Sequence, residues 1–341
     1  MAVARQEVFK RLLKIARYQP AGNHSAVKPC HRCVEALKNR RFCYKYRFYG
    51  IPSHRCIQMS PVPIRCTHRC VFCRRAHPEE LGTKGEPPVP EKRDDPEYIV
   101  EESIKAHRQA LSGYNPKAHP KVLPEMREEA MNPTHAAISL AGEPLLYPYI
   151  DDLVYEYRKR GFTTFIVSNG TLPRVLERMH TYPHQMYVSV TAPNERLYKI
   201  INQPIIKDGR KRYLEFLEIM HDIPTLTVMR FTLIKGLNDA PGYIKEYVKL
   251  IEIAEPTYVE VKGYSYVGYS QYRMKPENQP KMDEIREFAR MLEAELGGYH
   301  IADEHEPSRI VLLTRLPYPI KLQANLKRDK MEERKRFLED R

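Results

Sequence analysis

The sequence predicts an α/β fold built on a parallel sheet, either open or curled into a barrel. Three observations carry this expectation. The chain has 341 residues, 42% of them hydrophobic, which allows one large core or two smaller ones. From about residue 134 onward, short apolar runs alternate with amphipathic stretches. No internal repeat or low-complexity linker interrupts the alternation, which is the pattern of strands joined by crossover helices.

The elements follow along the chain. A first strand is expected around residues 55–59. Residues 94–112 read as a helix opened by Asp95-Pro96, an N-cap and first-turn pair. Apolar runs at 135–141, 163–168, 186–191, 226–233, 258–261 and 310–313 predict strands. Between them, residues 150–160, 212–220, 243–253 and 282–296 repeat apolar side chains every three to four positions and predict helices. Residues 327–341 mix cations and acids and read as a helical or frayed tail. No apolar stretch approaches the roughly 18–20 residues of a membrane helix. Glu7, Lys10, Arg11, Lys14 and Arg17 stand where a signal peptide needs an apolar run, so a cytoplasmic protein without a membrane partner is expected.

The formal net charge of +13 points to a polyanionic partner. Residues 1–50 hold twelve Lys and Arg against only Glu7 and Glu35, so ten of the thirteen net charges lie there. Phe42, Tyr44, Tyr46, Phe48 and Tyr49 are interleaved with them. Cations and rings mixed in this way contact phosphates and stack on bases, with a solvated basic face as the plain alternative.

Seven cysteines without a secretion signal favour metal or redox duty over a disulfide framework. Cys66-Thr-His-Arg-Cys70-Val-Phe-Cys73 forms a C-x3-C-x2-C loop just after the first expected strand. Three thiolates hold three irons of a cubane cluster and leave the fourth open to a ligand. A structural zinc site is the alternative, but it wants four protein ligands, which this loop does not supply by itself. Downstream, Ala141-Gly142-Glu143-Pro144, Ser168-Asn169-Gly170 and Ser189 with Thr191 fall at the ends of expected strands, and Arg230 lies on the strand that follows. Polar residues at C-terminal strand ends face the ligand mouth of a β/α barrel, although Asn-Gly is equally a turn signal.

On these residues the chain resembles the radical S-adenosylmethionine superfamily. The resemblance implies a partial (β/α)6 barrel with a cysteine-containing N-terminal extension. It implies a [4Fe–4S] cluster on Cys66, Cys70 and Cys73 whose open iron takes S-adenosylmethionine, with Phe72 beside the adenine. Gly142 and Glu143 match a Gly-Gly-Glu-type turn at the methionyl ammonium, with Ala141 replacing the first glycine. Ser168, Asn169, Ser189 and Arg230 match ribose and carboxylate contacts.

Within the superfamily the chain is similar to the 4-demethylwyosine synthases from about residue 29 to 315. The segments that carry the likeness are Arg41-Phe42-Cys43-Tyr44-Lys45, Phe48-Tyr49-Gly50-Ile51, Ser53-His54-Arg55-Cys56-Ile57-Gln58-Met59, Leu140-Ala141-Gly142-Glu143-Pro144-Leu145-Leu146-Tyr147-Pro148, Val167-Ser168-Asn169-Gly170-Thr171 and Val261-Lys262-Gly263-Tyr264. The resemblance implies condensation of pyruvate with N1-methylguanosine-37 of tRNA(Phe) through a 5′-deoxyadenosyl radical. It also implies a carbon radical that adds to pyruvate, with loss of the pyruvate carboxyl carbon. No flavodoxin-like segment is recognisable, so an external flavodoxin- or ferredoxin-type electron donor is expected.

The same resemblance implies a second [4Fe–4S] cluster on Cys30, Cys43 and Cys56, spaced thirteen residues apart, with Cys33 as an extra. A zinc ribbon on Cys30, Cys33, Cys43 and Cys56 is the competing reading. Lys45 is the expected Schiff-base lysine for pyruvate, on the premise that 43–47 is extended and places Lys45 on the face of Cys43. Lys262 competes for the role, and an ordinary phosphate-binding lysine is the alternative. The expected division is a basic extension over 1–53, a barrel core over 54–320 and a charged tail over 321–341. Another radical enzyme acting on RNA or protein is told apart by failing to consume pyruvate. A non-catalytic RNA-binding protein with structural metal would give no 5′-deoxyadenosine.

Overall fold

The computed structural model describes residues 2–82 and 93–322, and side chains from residue 7 onward. The expected tail at 327–341 lies outside the described residues. The chain opens with helix α1 (Ala2–Ile15), strands β1 (Gln19–Ala21) and β2 (Ser25–Val27), and helices α2 (His31–Asn39) and α3 (Tyr44–Tyr49). Strand–helix units follow: β3 (Cys56–Ser60), α4 (Pro96–Leu111), α5 (Pro124–Met131), β4 (His135–Ile138), α6 (Ile150–Lys159), β5 (Thr163–Ser168) and α7 (Pro173–Glu177). Then come β6 (Gln185–Val190), α8 (Glu195–Asn202), α9 (Gly209–Asp222), β7 (Leu226–Leu233), α10 (Ile244–Ala254), β8 (Tyr258–Gly263) and α11 (Met282–Glu295). β9 (His300–His305) and β10 (Ile310–Thr314) complete the sheet.

Strands β3 to β8 pair in chain order, each parallel to the next, and form the six-stranded partial barrel expected from sequence. Antiparallel strands extend both edges, β2 beside β3 and β10 beside β8. The strand expected at 310–313 is therefore present but runs against its neighbour. The turn Glu306–Ser308 is too short for a crossover, so β9 and β10 fold as a hairpin.

Alternation along the strands builds two layers. On the outer face, Ile57, Ile138, Ile166, Val188, Phe231 and Val261 pack against apolar stripes of α4, α6, α9, α10 and α11. On the inner face, Phe165, Tyr187, Val228, Tyr258 and Leu312 surround Tyr44, Phe48, Tyr49 and Ile51 from the N-terminal segment. That segment thus fills one end of the barrel. Each buried ring stabilises it by about 1.5–3 kcal/mol.

Residues 44–47 are helical, not extended. Cys43 is the N-cap of α3, at φ −78° and ψ 168°, and Gly50 ends the helix in the left-handed region at φ 73°. Tyr44 and Phe48, four residues apart, share the helix face turned into the barrel. Among the described residues, no helix is long and apolar enough to cross a membrane.

Candidate active site at the barrel mouth

The loops leaving the C-terminal ends of β3 to β8 build one site. Cys66, Cys70 and Cys73 lie in the irregular stretch after β3, and neighbouring loops hold it in place. The amides of Arg69 and Val71 donate to the carbonyls of Asn202 and Ile201 at 3.0 and 2.9 Å. Arg273 reaches back to donate to the carbonyls of Val71 and Cys73 and pairs with Glu80 at 2.6 Å. Gly142, at φ +72°, lies so close that a Cβ would stand 2.0 Å from the Val62 carbonyl and 2.5 Å from that of Arg65. Only glycine fits this contact.

Glu143 is 1% exposed and ties two loops together. Its carboxylate accepts from the Leu145 amide at 3.1 Å, the Ser168 hydroxyl at 2.9 Å and the Asn169 amide at 2.7 Å. Burial raises its pKa to about 7 against those donors. Asn169 donates onward to Thr67 at 2.8 Å and to the Cys66 sulfur at 3.6 Å, so the end of β5 braces the first cysteine. Phe72 is half-buried against Ala192, Ile201, Ile234 and Tyr264.

The inner wall is polar above its aromatic floor. Ser189 on β6 pairs in register with Arg230 on β7, which pairs with Glu260 on β8. Glu260 is fully buried and accepts from the hydroxyls of Tyr49 at 2.8 Å, Tyr44 at 3.0 Å and Tyr187 at 3.3 Å. Arg230 donates to the Tyr44 hydroxyl at 3.4 Å, and its guanidinium lies 5.2 Å from the Tyr187 ring centroid. Lys45 enters from α3 with Nζ 4.1 Å from the Phe165 ring centroid and 4.2 Å from that of Tyr187. Burial lowers its pKa to about 8, partly offset by Glu260. Lys262 on β8 donates to the Ser308 carbonyl at 2.5 Å, and burial with Arg230 and Arg309 nearby brings its pKa to about 7.

The N-terminal cysteines start three elements. Cys30 caps α2 and accepts from the Cys33 amide at 3.3 Å, Cys43 caps α3, and Cys56 is the first residue of β3. Burial raises the thiols of Cys43, to about 11, and of Cys56, with Cys30 adding to both. Burial likewise holds Cys66 up at about 12, followed by Glu143. Cys33 is fully buried in an apolar cluster with Ala36, Leu37, Leu111 and Met126, although it too feels the other three sulfurs. Arg74 lies in electrostatic reach of Cys30, Cys73 and Arg230, and the neighbouring Arg75 guanidinium lowers its pKa to about 10. Among the described residues, no group of three or more His, Cys, Asp or Glu side chains is gathered into a metal-holding arrangement as it stands.

Glu260, Arg273 and Arg74 were not singled out from sequence. Glu260 had a signal, because the strand Tyr258–Gly263 carries Glu and Lys at alternate, inward positions between valines. Arg273 had none, since its partners lie about two hundred residues away.

Comparison with known proteins agrees with this geometry. Residues 61–250 match the Radical SAM superfamily, and residues 253–315 match a family described as wyosine base formation. A Pyrococcus horikoshii S-adenosyl-L-methionine-dependent tRNA 4-demethylwyosine synthase is 54% identical over 89% of this chain and 87% of its own. Its Pyrococcus abyssi counterpart is 52% identical over 91% and 89%. A solved structure of TYW1 with a lysine-pyruvate adduct bound superposes with a TM-score of 0.81 at 36% identity, covering 93% of this chain and 99% of that one. The chain belongs to the radical S-adenosylmethionine superfamily and, within it, to the tRNA 4-demethylwyosine synthase family.

Proposed function

We infer that the chain is a radical tRNA-modifying enzyme that condenses pyruvate with N1-methylguanosine-37 of tRNA(Phe) to give 4-demethylwyosine. The observation that carries this reading is the Lys45 amine inside the barrel, over the Phe165 and Tyr187 rings and within electrostatic reach of Cys43 and Cys56. The donor sets suit iron–sulfur clusters. Buried thiols that raise one another's pKa need a cationic centre to ionise, and a coordinating metal supplies it. Cys66, Cys70 and Cys73 would hold one [4Fe–4S] cluster and leave a position for S-adenosylmethionine; Cys30, Cys43 and Cys56 would hold the other. A cluster held at the first site would supply the electron for reductive cleavage of S-adenosylmethionine to methionine and a 5′-deoxyadenosyl radical.

The protein's own groups orient the partners and exclude water. Gly142 and Glu143 set the loop at the methionyl end, Asn169 braces Cys66, and Ser189 and Arg230 offer polar contacts from the wall. Phe72 offers a ring for the adenine. Lys45, whose lowered pKa leaves a usable fraction of free amine near neutral pH, attacks the pyruvate keto carbon and loses water to form an imine. Lys262 is the competing amine, but it is already committed to the Ser308 carbonyl. The basic N-terminal segment, including exposed Arg41 and Tyr46, would contact the tRNA.

The test is anaerobic incubation of the reconstituted protein with S-adenosylmethionine, dithionite, pyruvate and N1-methylguanosine-containing tRNA, followed by nucleoside mass analysis. A tricyclic base that takes up label from pyruvate is expected. Formation of 5′-deoxyadenosine with unmodified tRNA and unconsumed pyruvate would point to another radical reaction.

A further inference from the structure

A cleft of about 760 Å³ lies beside the cysteine loop and is lined by none of the inner-wall residues. Its floor includes Tyr198 and Ile205, and the latter is 48% exposed. Around it stand Arg69, Lys199, Lys207, Arg210 and Lys211 against only Glu195 and Asp208. The floor is bonded directly to the cysteine loop. The Ile205 amide donates to the Thr67 carbonyl at 2.9 Å, and the Arg69 amide donates to the Gln203 carbonyl at 3.0 Å. The Tyr198 hydroxyl meets His68 Nε2 at 2.7 Å.

We propose that this cleft docks an acidic one-electron carrier protein, which reduces the metal centre on the Cys66–Cys73 loop. The proposal rests on the functional reading above, because only reductive cleavage requires the electron. The carrier is oxidised by one electron and the centre is reduced by one, with no atom transferred. Exposed apolar surface ringed by charge is the anatomy of a protein interface, and its positive sign selects an acidic partner. A nucleic-acid groove would offer exposed rings for stacking, yet the ring in this cleft, Tyr198, is buried. The route inward is short: one tyrosine, one hydrogen bond to His68, and Cys70 two residues on.

The double variant Lys207→Glu/Lys211→Glu tests the proposal, with flavodoxin as the acidic carrier. Binding of oxidised flavodoxin to the reconstituted enzyme should weaken about tenfold or more at low salt, and 5′-deoxyadenosine formation driven by reduced flavodoxin should fall with it. Dithionite-driven formation and tRNA affinity should stay unchanged. Flavodoxin binding and turnover equal to those of the unaltered enzyme would overturn the proposal. So would loss of tRNA affinity with flavodoxin binding intact, which would make the cleft a nucleic-acid surface. If dithionite yields no 5′-deoxyadenosine in the unaltered enzyme, the functional reading fails, while the binding titration still decides whether the carrier docks here.

Discussion

Cys66, Cys70 and Cys73 span eight residues of one irregular loop, whereas Cys30, Cys43 and Cys56 are spread over twenty-seven and each starts a regular element. The two sets are positioned by opposite means. The loop set is placed by groups outside itself: Arg273, Gly142, Asn169 and the chain at 201–205. The scattered set is placed by the helices and strand that its members begin, so its spacing follows from how α2, α3 and β3 pack. A contiguous motif can thus depend on distant residues for its shape, while a dispersed one can be held locally.

The largest expected effect concerns Lys45, beside Cys43 and Cys56 of the scattered set. Borohydride trapping with labelled pyruvate should mark Lys45, and Lys45→Ala should reduce the tricyclic base to background while 5′-deoxyadenosine still forms. Label on Lys262 would transfer the role to β8. A Lys45→Ala enzyme with full activity would remove it.

A paired glycine experiment sharpens the contrast in support. Gly142→Ala adds a Cβ 2.0 Å from a backbone oxygen at φ +72°, and should cost at least about 1–3 kcal/mol in denaturant unfolding and impair 5′-deoxyadenosine formation. Gly50→Ala has a similar φ of +73°, but its nearest atom stands at 3.6 Å. It should cost only about 1 kcal/mol and leave cleavage intact. Equal losses would mean that conformational strain, not close approach, governs both sites.

Acid should weaken both regions in the same window. Burial lowers the pKa of His68, behind Cys70, to about 4, and that of His135, paired in register with Cys56, to about 3. Both are neutral when folded, so the unfolded chain binds more protons below its ordinary histidine pKa of about 6.5. Their contribution to stability is present above about 6.5 and is lost as pH falls toward 4 and 3. Urea midpoints that stay flat from pH 7 to 4 would contradict this.

The smallest effect is expected at Cys33. Its side chain is buried among apolar groups, so Cys33→Ala should cost about 1 kcal/mol of stability with both products unchanged. A dead Cys33→Ala enzyme would put Cys33 among the metal ligands and favour the zinc ribbon.

Much of this arrangement was readable along the chain. The cysteine loop is a local pattern, and five of the six parallel strands announce themselves as apolar runs because both of their faces are buried. Helix α3 was missed because 43–47 alternates aromatic and basic residues, and its helical state depends on caps at Cys43 and Gly50 and on packing inside the barrel. The reversed direction of β10 depends on a three-residue turn, which apolar periodicity does not register. Strands β1 and β2, at three residues each, are too short to show a period. The brace from Arg273 to the cysteine loop exists only in three dimensions, since no local spacing relates position 273 to 73.

The central claim is that the two cysteine sets do separate work, and the direct test measures both products in Cys66→Ala and Cys43→Ala enzymes side by side. The account predicts that Cys66→Ala forms neither 5′-deoxyadenosine nor the tricyclic base, while Cys43→Ala still forms 5′-deoxyadenosine but no tricyclic base. Equal loss of 5′-deoxyadenosine in both variants would contradict it and indicate a single shared metal assembly.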